Sequence, residues 1–114
     1  MIDWADKFTG TLLGMAAGDA IGLPREGLSP QLALRIFGPA PLEHRLLFGR
    51  GMISDDTEHA CMTAQALLAS GGNPDIFARS LAWRLRGWLL GVPADVGLAT
   101  LRSILKLYMG VPPR

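Results

Sequence analysis

The sequence predicts an all-α fold, and three observations carry that reading. Turn signals cut the 114 residues into five helical segments, and no stretch alternates with the period of two that a strand requires. Two segments also open on a capping residue followed by proline, Ser29-Pro30 and Asn73-Pro74. Proline is well placed at a first helical position, because its missing N–H has no partner there and its φ is already helical.

The first helix is expected from about Trp4 to Ile21, with Trp4, Phe8 and Leu12 on an apolar stripe, and Pro24 restricts Leu23 so that it ends there. Gly10, Gly14, Gly18 and Gly22 recur at every fourth position and nearly align along one side. Each costs roughly 0.8–1 kcal/mol against alanine. The spacing therefore implies close approach by another helix backbone or by a ligand, packing being the commoner cause.

The second helix starts at Ser29-Pro30 and stops at Gly38, and residues 38–53 read as a long loop of the kind that is usually functional or mobile. The third runs from about Asp55 to Ala69 and ends at Ser70-Gly71-Gly72. The fourth extends from Asn73-Pro74-Asp75 to about Leu90, with Phe77, Leu81, Leu85 and Trp88 as its buried stripe and Gly91 as its stop. The fifth is expected from about Asp95 to Met109, with Leu98, Leu101, Ile104, Leu105 and Tyr108 apolar and Gly110 closing it. There is no internal repeat and no low-complexity tract.

The length is near the mode for one domain, and residues 1–114 read as part of a single one. With 11 basic and 10 acidic residues the net charge is +1, which provides no electrostatic footprint for nucleic acid or anionic lipid. Arg79, Arg84, Arg86, Arg102 and Lys106 read as solvated helix faces. The lone Cys61 excludes an intramolecular disulfide and reads as a small buried residue. Asp3 and Asp6 carry the wrong charge for a signal peptide, and the apolar run Gly10–Leu23 is too short to span a bilayer and is interrupted by Asp19. No targeting or membrane segment is expected, and the cytoplasm is the default compartment. A mean hydropathy of +0.26, with the loop-like ending Gly110-Val111-Pro112-Pro113-Arg114, suggests part of something larger, whose apolar helix faces await neighbours.

The chemistry concentrates in Ser54-Asp55-Asp56-Thr57-Glu58, at a loop-to-helix junction. Two adjacent carboxylates with a flanking hydroxyl suit Mg²⁺, Mn²⁺ or Ca²⁺, which prefer oxygen ligands. The same residues also serve as helix caps: Ser, Asp and Thr are favoured there, and Asp55-x-x-Glu58 fits a capping box. A second cluster, Gly18-Asp19-Ala20-Ile21-Gly22-Leu23-Pro24-Arg25-Glu26, places Asp19 late in an apolar helix. A carboxylate there is costly unless hydrogen-bonded or paired, so Asp19 reads as a satisfied structural acid or as part of a site. Glu26 reads as a solvated loop charge or a functional one. His59, one turn beyond Asp55 and Asp56, reads as a supporting or structural histidine, since hard oxygen-ligated metals rarely recruit imidazole.

Together, the glycine-spaced helix ending G-D-A-x-G-x-x-x-E and the S-D-D-T-E helix start resemble the ADP-ribosylglycohydrolase family, which includes hydrolases that remove ADP-ribose from arginine or serine and the dinitrogenase reductase-activating glycohydrolases. The resemblance spans essentially the whole chain, with Gly97-Leu98-Ala99-Thr100-Leu101 and Lys106–Gly110 resembling the family's following helix. It implies a compact orthogonal helical bundle, of which this sequence is the N-terminal part, incomplete at the C-terminus. It also implies a binuclear Mg²⁺ site with Ser54, Asp55 and Asp56 as ligands, Glu26 as a candidate base or gating carboxylate, and Asp56 acting in catalysis. The expected substrate is an ADP-ribosylated protein or an ADP-ribose-containing small molecule. Family members complete the site with a second acidic motif of the D-x-D-[ST] kind, and no acid follows Asp95 here, so the chain alone is expected to be inactive. The competing reading is a helical binding or interaction module that kept the fold without catalysis. A third, an all-helical phosphohydrolase such as a nucleotide pyrophosphatase, fits poorly, because such enzymes usually carry E-x-x-E and E-x-x-D pairs on facing helices.

Overall fold

The computed structural model describes residues 3–39, 43–46, 48–93 and 96–113. Among the described residues five α-helices follow one another: α1 (Trp4–Gly22), α2 (Pro30–Phe37), α3 (Asp55–Ser70), α4 (Pro74–Leu90) and α5 (Leu98–Tyr108), with a 3₁₀ turn at Leu23–Arg25. Among the described residues there is no β-strand, so the fold is all-α as expected. The chain divides into two compact units, Met1–Thr57 and Glu58–Arg114.

In the first unit, Asp3 caps α1 by accepting the Ala5 N–H at 2.9 Å. The helix runs on to the 3₁₀ turn, whose end is marked by the Glu26 N–H donating to the Leu23 carbonyl at 3.2 Å. Gly27 then turns the chain at φ 73°, a conformation glycine adopts without penalty. Ser29 caps α2 through the Leu32 N–H at 3.2 Å, and Gly38 at φ 76° ends it. Both signals behave as the sequence indicates.

The glycine stripe of α1 does not. A Cβ built at Gly10, Gly14, Gly18 or Gly22 would meet no atom within 4 Å, so nothing described in this chain makes the close approach that the spacing implied. The apolar stripe beside it is partly open, with Trp4 77% exposed, Leu12 half-buried and Ala20 the buried residue of α1. The close approach occurs instead at Gly51, in the loop before α3. A Cβ there would lie 2.8 Å from that of Ala20 and closer still to the His44 ring. The absence of a side chain at residue 51 lets the loop lie against the last turns of α1.

In the second unit, Gly71 and Gly72 turn the chain at φ 55° and 87°, and Asn73 then caps α4 with bonds from the N–H groups of Asp75 (3.0 Å) and Ile76 (3.1 Å). Buried apolar residues are Ala64, Ala66, Ala82, Ile104 and Leu107. Ile104 and Leu107 come from α5, which packs against α4. The stripe Phe77, Leu81, Leu85 and Trp88 is half-buried, and Trp83 is 72% exposed.

Arg86 is not a solvated cation. Its guanidinium donates to the Leu107 carbonyl and lies 6.0 Å from the Tyr108 ring, while the Tyr108 hydroxyl donates back to the Arg86 carbonyl at 2.6 Å. These bonds tie α4 to the end of α5. Arg84 likewise reaches Gln65 Oε1 at 3.2 Å.

The fifth helix starts at Leu98, later than expected. Gly97 occupies the cap position with ψ 138° and no side-chain cap bond, Val96 is not helical, and Asp95 lies outside the described residues. No described helix is long and apolar enough to cross a membrane. Ile104 is fully enclosed, so Ile104→Ala should lower unfolding stability by about 2–5 kcal/mol in urea titration, through lost burial plus the cavity left behind. Leu98→Ala, at a 72% exposed position, should cost less than about 0.5 kcal/mol in the same chain.

Candidate functional site

The site is organised around Asp19, on the last full turn of α1. Its Oδ2 accepts the backbone N–H of Ser54 at 2.8 Å and the hydroxyl of Thr57, while Oδ1 accepts the Ser54 hydroxyl at 2.8 Å. The costly helical carboxylate therefore has its donors, supplied from 35 and 38 residues further along the chain. Burial works to raise its pKa, but the bonds from Thr57 and Ser54 outweigh that and hold it below the ordinary carboxylate value.

Ser54 is the cap of α3. Its Oγ accepts the Asp56 N–H at 3.2 Å, and Asp55 becomes the first helical residue. The capping box expected at Asp55-x-x-Glu58 does not form, because the cap is one residue earlier and the Glu58 carboxylate accepts the indole N–H of Trp88. Thr57 is buried, in keeping with its bond to Asp19.

Beside this junction lies an open cleft of about 270 Å³, lined by Asp19, Gly22, Leu23, Arg25, Glu26, Ser54 and Asp56. The structure thus brings Glu26, Ser54 and Asp56 to one cavity from the two sequence clusters. Asp55 is half-buried at the head of α3 and is not among the lining residues. Arg25 was not singled out in the sequence. It is held by donating to the Ile21 carbonyl at 2.8 Å and by lying 4.7 Å from the Phe37 ring.

Among the described residues, the one ion pair joins Arg45 and Glu43 at 3.4 Å, so neither Glu26 nor Asp56 is neutralised by a cationic side chain. Two such carboxylates and a hydroxyl facing one cleft form an electronegative, hard-oxygen surface. No group of three or more His, Cys, Asp or Glu side chains has metal-binding proximity among the described residues. Glu26, Ser54 and Asp56 would by themselves offer a hard cation only a partial oxygen set, with water in the remaining positions.

His59 lies in the second unit, where it lines a cavity with Thr63, Leu81, Leu85 and Ile104. Its ring meets Trp88 edge-on at 4.4 Å and 66°, and its Nε2 is enclosed without a hydrogen-bond partner among the described residues. Cys61 is free and half-buried.

Two outcomes follow from this geometry. Because its folded pKa is depressed, Asp19 contributes stability that is fully present above its unfolded value, about 3.8, and is lost as pH falls through the lower folded value. The melting-temperature gap between wild type and Asp19→Asn should accordingly be widest near neutrality and close in acid. Gly51→Ala should lower stability by about 1–3 kcal/mol in thermal unfolding, since the Ala20 Cβ belongs to a helix that cannot step aside.

Comparison with known proteins places the chain. The family model described as ADP-ribosylglycohydrolase matches residues 1–114. An uncharacterized protein of Archaeoglobus fulgidus is 32% identical over 93% of this chain and 35% of its own length. The uncharacterized protein YegU of Escherichia coli K12 is 37% identical over 71% of this chain and 28% of its own. The chain therefore spans about a third of the length of the curated relatives it matches. No solved structure matches it.

Proposed function

The chain belongs to the ADP-ribosylglycohydrolase family, and on that premise we propose that its acidic cleft is part of a site that hydrolyses the glycosidic bond between ADP-ribose and a protein side chain or related acceptor. The observation that carries the reading is the convergence of Glu26, Ser54 and Asp56 on one cleft, with no cationic side chain neutralising either acid among the described residues.

Cleavage at the anomeric carbon of ribose builds oxocarbenium-like positive charge as the leaving group departs. Fixed carboxylates facing that charge stabilise it more than they stabilise the neutral ground state, which is the requirement for catalysis. Glu26, on the turn after α1, is the candidate base that takes a proton from the attacking water.

Ser54, Asp55 and Asp56 are the residues that would hold Mg²⁺. Asp55 would do so from the head of α3 rather than from the cleft lining. When bound, the ion would supply Lewis-acid polarisation and orient the sugar hydroxyls. The carboxylates of Asp55 and Asp56 follow one another on the first turn of α3, where the helix backbone fixes their separation and the cap bond from Asp56 N–H to Ser54 fixes the start of the turn.

The test uses the complete natural polypeptide containing this chain, assayed for release of free ADP-ribose from an ADP-ribosylated protein. Glu26→Gln should lower kcat by about 10²–10⁴-fold, the range for loss of a general base, with a smaller effect on KM. Asp55→Ala combined with Asp56→Ala should abolish magnesium-dependent turnover. Unchanged hydrolysis after exhaustive chelation would sink the metal role. A folded protein with neither turnover nor a magnesium-dependent rise in melting temperature would favour a non-catalytic module.

A further inference from the structure

We propose that Asp19 is a positioning residue that fixes the polarity of Ser54 toward the cleft, making its hydroxyl a ligand for a divalent cation. The inference rests on the cation reading given above and identifies what sets up one of its ligands.

A serine hydroxyl has one proton and two lone pairs. An ionised carboxylate only accepts, so the 2.8 Å bond between Ser54 Oγ and Asp19 Oδ1 commits the serine proton to Asp19. One lone pair is taken by the Asp56 N–H at 3.2 Å. What remains for the cleft is a single lone pair. Ser54 can therefore receive a cation or an N–H or O–H donor from that side, and it cannot donate to an anion. The charge-assisted bond also draws the proton toward Asp19 and leaves the oxygen more basic, as carboxylates do for metal-bound histidines.

The arrangement is fixed because Asp19 uses both oxygens. Oδ2 is held by the Ser54 backbone N–H, which cannot reverse, and by the Thr57 hydroxyl, so Oδ1 is left for the serine proton. Asparagine at this position would resolve the same geometry differently. Its carbonyl oxygen would take the Oδ2 position, since a backbone N–H needs an acceptor, and its amide N–H would face Ser54 Oγ. The serine would then accept twice, from Asn and from Asp56, and its proton would turn into the cleft. One isosteric substitution thus converts Ser54 from an acceptor to a donor toward any bound ion.

The experiment is calorimetric titration of Mn²⁺ and Mg²⁺ into the complete natural polypeptide and its variants, with folding checked by circular dichroism. Asp19→Asn should weaken binding by about 10–100-fold, the range for loss of a partner behind a metal ligand. Ser54→Ala should weaken it comparably, and the double variant should be no weaker than Ser54→Ala alone, since Asp19 acts through Ser54. Thr57→Val, which removes another of the Asp19 bonds, should lower melting temperature yet keep the affinity. Wild-type affinity in folded Asp19→Asn overturns the inference while leaving the cation reading standing. Parallel losses in Asp19→Asn and Thr57→Val also overturn it, in favour of a purely structural acid. No binding by the wild type removes the cation reading and this inference with it. Should Asp19→Asn not fold, Asp19→Glu takes its place and is read the same way, and unchanged affinity in Ser54→Ala overturns the proposal, because Asp19 then has no ligand to act through.

Discussion

One carboxylate joins the end of α1 to the start of α3, and the geometry of the cleft depends on it. Asp19 would be destabilising in an apolar helix if it found no donors, yet it receives two hydroxyls and a backbone N–H, all charge-assisted bonds of the stronger class. Its negative charge also faces the positive end of α3, where the helix dipole favours an anion. The loop that intervenes is long, but closure entropy grows only with the logarithm of loop length, so its residues cost little beyond those of a shorter connection. Gly51 lets that loop lie against Ala20, one residue from Asp19, and the backbone approach and the hydrogen bonds reinforce one another.

The electrostatics of the cleft follow from what the neighbouring cations are already doing. Arg25 lies in the cleft wall, but its guanidinium is held by the Ile21 carbonyl and the Phe37 ring. Asp19 spends its charge on the head of α3. Glu26 and Asp56 are left facing the same space, with Ser54 presenting oxygen beside them. Acids outnumber the one arginine in the cleft lining, so the arrangement favours a cation or a developing positive charge over an anion. That preference suits both the binding of a hard metal ion and the oxocarbenium-like charge of glycosidic cleavage.

Much of the helical framework was legible because its signals are local. Ser29-Pro30 and Asn73-Pro74 announce α2 and α4, and Gly38 and Gly71-Gly72 turn the chain where the sequence places turns. The start of α5 was read too early, at about Asp95, whereas the helix begins at Leu98, after Gly97. The site was legible in part: Glu26, Ser54 and Asp56 were flagged by residue type and do line one cleft. The role of Asp19 was visible only as a cost that demanded a partner. Its partners lie 35 and 38 residues away, a separation that no periodicity encodes. Arg86 escaped for the same reason, since its bond to the Leu107 carbonyl joins two helices rather than neighbours on one.

The glycine stripe sharpens what Asp19 does for α1. Four glycines cost that helix roughly 3–4 kcal/mol against alanine, and Ala20 is the buried residue it offers in return. Helices in proteins hold their shape mainly by packing an apolar face, and within this chain α1 packs little of its own. Its helical state therefore leans on the Asp3 cap at one end and the Asp19 bonds at the other. The same carboxylate thus carries two separable duties. The bond from Thr57 seats Asp19 against the head of α3 and keeps it ionised, whereas the bond from the Ser54 hydroxyl determines what that oxygen can offer to the cleft. A purely structural acid would need the first and be indifferent to the second, which is why the direction of one serine proton distinguishes scaffold from site.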